Sequence, residues 1–266
     1  MAISLKSSIK KKTAAEEQPI ITIYGVPKIG KSTLAAEFPR PIFIQTALGE
    51  SVPADVVADT IEVRKYDELC EAIGALVNED HNYATVIIDS VTGLENLIRT
   101  EACARNGWKT VEDPGYGKGY KIAANIFLEY IDGIMTLRNE RKMAVVQLGH
   151  CDITRFESPT TDPYSRYRVN LHKDAADIIE TNSDVIAFLN FKASIKKVDA
   201  GFNKELRHAE GGGARWVFLE ERPGFVAGNR FGMPPEMQFK KGEGYRALAK
   251  YLPPPLGEAV AEVTAA

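Results

Sequence analysis

From Pro19 onward, short apolar runs alternate along the chain with stretches of helical period. Ile20-Ile21-Thr22-Ile23-Tyr24, closing at Gly25, reads as a buried strand, Pro41 to Gln45 as a second and Thr60 to Val63 as a weak third. Ala84 to Asp89 is an apolar strand ending in a carboxylate, and Met143 to Leu148, Asp184 to Phe191 and Arg215 to Leu219 supply three more. Between them, Tyr66 to Asn78 sets Leu69, Ile73, Leu76 and Val77 on one helical face. Val91 to Asn106 is helical up to Gly107, and Tyr120 to Asn139 carries Ile122, Ile126, Tyr130 and Ile134 at helical spacing, a stripe that reads as core. Strands apolar on both faces and separated by helices predict an α/β fold, a mostly parallel sheet with helices on both faces.

The ends differ from this middle. Residues 1–18 are polar, with Lys6, Lys10, Lys11 and Lys12 close together, and read as a mobile basic N-terminal arm or a plain solvated tail. After Leu252 a Pro253-Pro254-Pro255 run and an Ala-rich end mark 253–266 as a flexible tail. No repeat or linker divides 19–252, which is expected to be one domain. Its 44% hydrophobic and 26% charged residues, in a chain of 266, suffice for a full core without staples. Thirty-three basic against 36 acidic residues leave a net charge of −3, so no global field draws the chain to DNA or membrane. A nucleic-acid site has to be a local patch. Cys70, Cys103 and Cys151 are scattered and form no CxxC pair, which excludes a disulfide framework and a structural zinc site and suits a reducing cytoplasm. No apolar run approaches the roughly 18 residues of a spanning helix, and the N-terminus lacks a signal-peptide core. The expectation is a soluble cytoplasmic protein with no membrane partner.

The chemistry is concentrated in Gly25-Val26-Pro27-Lys28-Ile29-Gly30-Lys31-Ser32, which spells GxxxxGK[ST] between a predicted strand and a helix beginning at Ser32. Glycines let successive backbone N–H groups turn inward around phosphate oxygens at a helix N-terminus. Lys31 is expected to bridge the β- and γ-phosphates and the Ser32 hydroxyl to ligate Mg²⁺, with Thr33 closing the nucleotide contact. Asp89 completes the Mg²⁺ site as the Walker B carboxylate, directly or through water, rather than merely forming a turn. The interval between Lys31 and Asp89 has room for an extra strand, which favours P-loop proteins with a strand inserted between the two Walker strands over small kinases and GTPases. No NKxD guanine-reading motif is present, so ATP is favoured over GTP.

With these residues in place, the sequence resembles the phage-encoded RecA-like ATP-binding proteins, a minimal RecA core associated with single-strand annealing and recombination. The resemblance runs from about Pro19 to Pro235 and is carried by Ile23 to Ser32, Phe43 to Gly49, Val86 to Ser90, Asp113 to Tyr120, Gln147 to Pro159 and Asn229-Arg230. It implies a RecA-like P-loop NTPase core, action on single-stranded DNA, a homo-oligomer (ring or filament), a single-strand-binding protein as a further partner, and the host cytoplasm as location. It also implies a γ-phosphate sensor at His150, with Gln147 as second candidate, and Arg230, or Arg222, acting in trans on a neighbour's phosphate. Two departures matter. The second strand continues as Gln45-Thr46-Ala47-Leu48-Gly49-Glu50, with Ala47 where related proteins carry a water-polarising glutamate. Glu50 is left as the substitute base, and slow hydrolysis is expected. The family's late Ala-Lys-Asn-Arg is here Ala227-Gly228-Asn229-Arg230, without the lysine.

Two segments have the composition of nucleic-acid loops. Asn106 to Lys121 interleaves glycines with Trp108, Lys109, Tyr116, Lys118 and Tyr120. Cys151 to His172 lacks a clear period and holds Arg155, Phe156, Tyr164, Arg166 and Arg168. Aromatic faces for bases beside cations for phosphates are what single strands require. Lys118, Tyr120, Arg155 and Arg166 are the candidate DNA contacts, and the Lys192, Lys196, Lys197 cluster is a candidate extension of the basic surface. The reading is a weak ATPase, binding ATP and Mg²⁺, that handles single-stranded DNA. Its rivals are a nucleotide-dependent adaptor or loader that never touches DNA and a P-loop small-molecule kinase.

Overall fold

The computed structural model describes residues 17–46, 52–54, 56–199 and 205–255, with only the backbone of 193–199 and 205–212. Ala47, Glu50, most of the basic arm and most of the C-terminal tail therefore lie outside the described residues. In chain order the elements are β1 (Ile20–Gly25), α1 (Lys31–Ala35), β2 (Pro41–Gln45), β3 (Asp59–Glu62), α2 (Tyr66–Asn78), β4 (Thr85–Asp89) and α3 (Val91–Asn106). They continue as α4 (Lys118–Glu140), β5 (Ala144–Phe156), β6 (Tyr164–Val169), α5 (Lys173–Thr181), β7 (Val185–Asp199), β8 (Glu205–Phe218), β9 (Gly228–Asn229), β10 (Glu236–Phe239) and α6 (Gly244–Ala249).

The sheet runs β10-β8-β7-β1-β5-β4-β2-β3, with β6 paired to β5 and β9 to β7. The strands from β7 to β3 are parallel, and β8 and β10 add antiparallel pairs at one edge. A strand does lie between the two Walker strands, but it is β5, downstream of Asp89. The strands supplied by the Lys31–Asp89 interval, β2 and β3, lie on the far side of β4. Residue spacing shows that a strand exists but not into which gap it inserts.

The period-2 alternation divides the core in two. Ile20, Tyr24, Ile42, Ile44, Val86 and Ile88 face the apolar stripes of α2, α3, α4 and α5. Ile21, Ile23, Phe43, Ile87, Val146 and Leu148 face α1 and α6. The α4 stripe from Ile126 to Leu137 is buried as core. Among the described residues no helix is long and apolar enough to cross a membrane.

The segment from Cys151 to His172, expected as an aperiodic loop, is mostly a β-hairpin. β5 runs on past the sheet and pairs antiparallel with β6 from Cys151↔Val169 to Phe156↔Tyr164. The first six residues of β5 are buried and the rest stand out from the core, so no burial period marks the second half. β7 and β8 likewise outrun their apolar stretches and form a long antiparallel pair with a bulge at Phe191/Ala193.

Candidate nucleotide cleft and nucleic-acid loops

The last residue of β1, Gly25, has to be glycine because the chain passes hard against β7 there: a Cβ would lie 2.2 Å from the Leu189 carbonyl oxygen. The loop that follows turns back through two left-handed residues, Lys28 (φ 62°) and Gly30 (φ 107°), and α1 begins at Lys31. Ile29 is buried in the core face shared with α1, and Val26 packs against it. These two side chains anchor the loop from below. Its ligand-facing groups are the backbone and the polar residues after it.

Lys31 is 9% exposed, and its Nζ donates to the carbonyls of Gly25 (3.1 Å) and Val26 (3.2 Å). The Ser32 hydroxyl donates to Asp89 Oδ2 at 3.0 Å, which puts the two expected Mg²⁺ groups together across 57 residues of sequence. Asp89 is held from both sides. Its carbonyl accepts the Thr46 N–H (2.9 Å), and Thr46 Oγ1 donates to the Ser90 carbonyl (2.6 Å) while accepting the Ser90 N–H (3.0 Å). Ser90 Oγ then caps α3 by accepting the Gly93 N–H. Thr46 thus locks the end of β2 to the main chain of Asp89 and Ser90, a role its sequence position gave no sign of.

His150 sits in register with Gly25 and lines the same cleft. Its N–H donates to Thr92 Oγ1 (3.3 Å) and its carbonyl accepts the Asn170 N–H (2.8 Å), so it joins the cleft to both strands of the hairpin's base. The next residue, Cys151, is half-buried, and burial pushes its thiol up, away from a nucleophile's range. The cleft has a volume of about 610 Å³. Pro27, Ser32 and Thr33 form one wall, Asp89 and His150 a second, and Arg215 of β8 a third. Arg215 lay inside a predicted strand and carried no motif.

Other candidates are placed elsewhere. Gln147 is fully buried three residues below His150 and bonded to Tyr130 (2.7 Å) and Thr22 (3.2 Å), so it belongs to the core and not to the cleft. Arg230 follows β9 at the start of β7, where it pairs with Asp184 (3.3 Å), at the sheet edge opposite the phosphate loop. It cannot reach its own chain's cleft. Arg222 pairs with Glu220.

Parallel strands and antiparallel helices put the start of α4 and the hairpin on the same sheet edge as the phosphate loop. Lys118 and Tyr120 lie in the first turn of α4. Lys118 is exposed. Tyr120 is not free to receive a base: its ring stacks on His172 at 4.2 Å and 6°, the Arg99 guanidinium lies 5.4 Å from its centroid, and its hydroxyl donates to Glu112. Arg155 is exposed and paired with Glu157. Arg166 lies 3.9 Å over the Phe156 ring and pairs with Glu221. Arg168 is tied to Asp177 and Glu180. The aromatic that does project is Tyr116, fully exposed and itself left-handed (φ 49°) between Gly115 and Gly117, in the same segment as Lys118. On β7, Lys192 pairs with Glu236 and sits over Trp216, while only the backbone of Lys196 and Lys197 is described.

A left-handed loop between strand and helix, a buried lysine and a serine–aspartate pair, set on a sheet with one strand between the Walker strands, define a nucleotide-binding P-loop protein of RecA-like fold. Residues 17–231 match the AAA domain, and the chain belongs to that family. No curated protein matches it. Among solved structures it is similar to the RadB recombinase, at 16% identity and a TM-score of 0.47 over 84% of this chain and 88% of that one.

Proposed function

We propose that the protein binds ATP with Mg²⁺ in this cleft and acts on single-stranded DNA in recombination or strand annealing, as a homo-oligomer with slow turnover. One observation carries the reading: β5 runs unbroken from beside the phosphate loop into an exposed hairpin, with His150 at the junction. The residues suit the cation. Ser32 and Asp89 offer one hydroxyl and one carboxylate, and no cluster of three acidic, histidine or cysteine ligands occurs among the described residues. Mg²⁺ there would be completed by phosphate oxygens and water, which is how this ion is usually held. When bound it would neutralise charge developing on the phosphates. Lys31 supplies a fixed charge, Asp89 keeps the Ser32 hydroxyl oriented while Thr46 holds the Asp89–Ser90 backbone, and His150 reads the terminal phosphate at the hairpin's base. Ala47 leaves no glutamate at the expected position, so Glu50 is the remaining base for water. Arg230, exposed on the opposite edge, serves a neighbouring subunit. Lys118, Arg155 and Arg166 supply phosphate contacts, and Tyr116 replaces Tyr120 as the base platform.

The test is binding of a fluorescent single-stranded oligonucleotide with and without ATP and Mg²⁺ over a salt series. Nucleotide-dependent, salt-sensitive binding that prefers single strands over duplex supports the reading. Tight ATP binding without DNA affinity supports an adaptor or loader, a second reading favoured by the partners that already hold Arg155, Arg166 and Tyr120. A partner such as a single-strand-binding protein would then be the target.

A further inference from the structure

We infer that Arg215 is the residue that holds the nucleobase, by stacking its guanidinium plane against a purine, and that it sets base preference; this rests on the nucleotide reading above.

The sheet order fixes which end of the nucleotide faces which wall. Asp89 ends β4, two strands from β1 on one side, and Arg215 stands on β8, two strands from β1 on the other. The metal-binding pair Ser32–Asp89 draws the terminal phosphates toward the β4 side. The phosphate chain crosses the loop above β1, so the nucleoside end is left facing β7 and β8. Arg215 is a charged residue that lines the cleft and stands on that side.

Its setting is that of a built platform. Arg215 pairs across the strands with Phe239 of β10, and its guanidinium lies 4.8 Å from that ring's centroid. Nη1 donates to the Ile29 carbonyl at 3.3 Å, which ties the side chain to the phosphate loop itself. Gly30 makes room for it: a Cβ there would lie 2.7 Å from Nη1 and 3.0 Å from the Phe239 ring. The guanidinium is thus held against an aromatic ring and bonded to the phosphate loop, and the residue lines the cleft. Arginine is suited to this because it is planar and weakly hydrated, whereas lysine is a compact, strongly hydrated point charge. A purine offers it a larger π surface than a pyrimidine does.

Isothermal titration of the full chain with MgATP, MgADP, MgUTP and Mg-tripolyphosphate tests this in the parent, Arg215→Ala and Arg215→Lys. Both variants are expected to lose about tenfold in affinity for ATP and for ADP alike, to keep tripolyphosphate affinity within about twofold, and to lose the parent's preference for ATP over UTP. Full rescue by lysine would overturn the inference in favour of a charge contact to phosphate. An equal loss for tripolyphosphate would overturn it in favour of a prop under the phosphate loop, and so would unchanged ATP affinity in Arg215→Ala. A parent that binds ATP and UTP with equal affinity leaves the nucleotide reading standing and removes this one. A parent that binds neither ATP nor tripolyphosphate overturns the phosphate-loop reading and this inference with it.

Discussion

Lys31 sets the sharpest expectation at the scale of single residues. Its ammonium is buried beneath the loop that it would bridge to phosphate. Lys31→Ala should abolish detectable ATP binding by titration while the circular dichroism spectrum and thermal midpoint stay close to the parent's. A variant that binds ATP like the parent would end the assignment. On the DNA side two tyrosines four residues apart should behave differently. Tyr116→Ala is expected to cost about 1–3 kcal/mol of oligonucleotide binding with little change in salt slope, and Arg155→Ala to flatten the slope by about 0.7. Tyr120→Ala should lower stability, because its ring is packed between His172 and Arg99. For turnover, Ala47→Glu should raise the hydrolysis rate several-fold, and Glu50→Gln should lower what remains. The phosphate loop was legible in the sequence because its cradle is made of consecutive residues whose types dictate the backbone. Arg215 was not: it meets Ile29 across 186 residues, and only the sheet order brings them together. Tyr120 misled for a related reason, since composition records an aromatic ring but not whether its face is already covered.

Long elements with a strong apolar period were legible in the sequence, whereas the short α5, β10 and α6 were not, although each buries part of its surface. β1, β2, β4 and the helices α2 to α4 follow their apolar periods to within a few residues. The hairpin of β5 and β6 was missed because it stands outside the core, where ladder hydrogen bonds and not burial define the strand. Gln147 was misplaced as a sensor because alternation alone does not give depth along a strand. It is the middle of a buried chain in which Tyr130 donates to Gln147, Gln147 to Thr22, and Thr22 meets Ser183 at 2.7 Å, linking α4 through β5 and β1 to the end of α5. Gln147→Leu should leave the Tyr130 hydroxyl without its acceptor and cost about 1–3 kcal/mol in urea unfolding, with ATP affinity retained. The approach to α4 gives a pH expectation. Asp113 accepts the Lys109 and Thr110 N–H groups and the Thr110 hydroxyl, and Lys121 pairs with Asp174 at 3.0 Å. Hydrogen bonds from Thr110 first, and from Lys121 in the second case, hold both carboxyls below their usual 3.8. A depressed carboxyl contributes stability above its unfolded-state value and loses it as pH falls through the folded-state value. Amide exchange at Lys109 and Thr110 should therefore be flat from about pH 5 to 8 and accelerate only below the usual carboxylate range, beyond the intrinsic pH trend.

At the scale of the whole molecule, the cleft and the candidate DNA loops share one edge of the sheet while Arg230 stands on the other, so the proposed action of Arg230 on a phosphate would need a second copy. The same sheet has a consequence for how the chain comes to be folded. β1, the strand that carries the phosphate loop, is made first, yet its neighbours are β5 and β7, whose contacts with it span 125 and 164 residues. Pairings so distant in sequence must wait for the chain between them and are slow to form. A ribosome-bound chain that stops before β7 holds a complete GxxxxGKS sequence on a strand with one whole flank unpaired. Chains released after Thr181 should therefore be protease-sensitive and fail to retain ATP, whereas chains extended through β8 should resist cleavage. The phosphate loop is made before the strands that flank it yet is among the last parts of the molecule to be assembled, and until they arrive its apolar strand is an exposed edge open to misassembly.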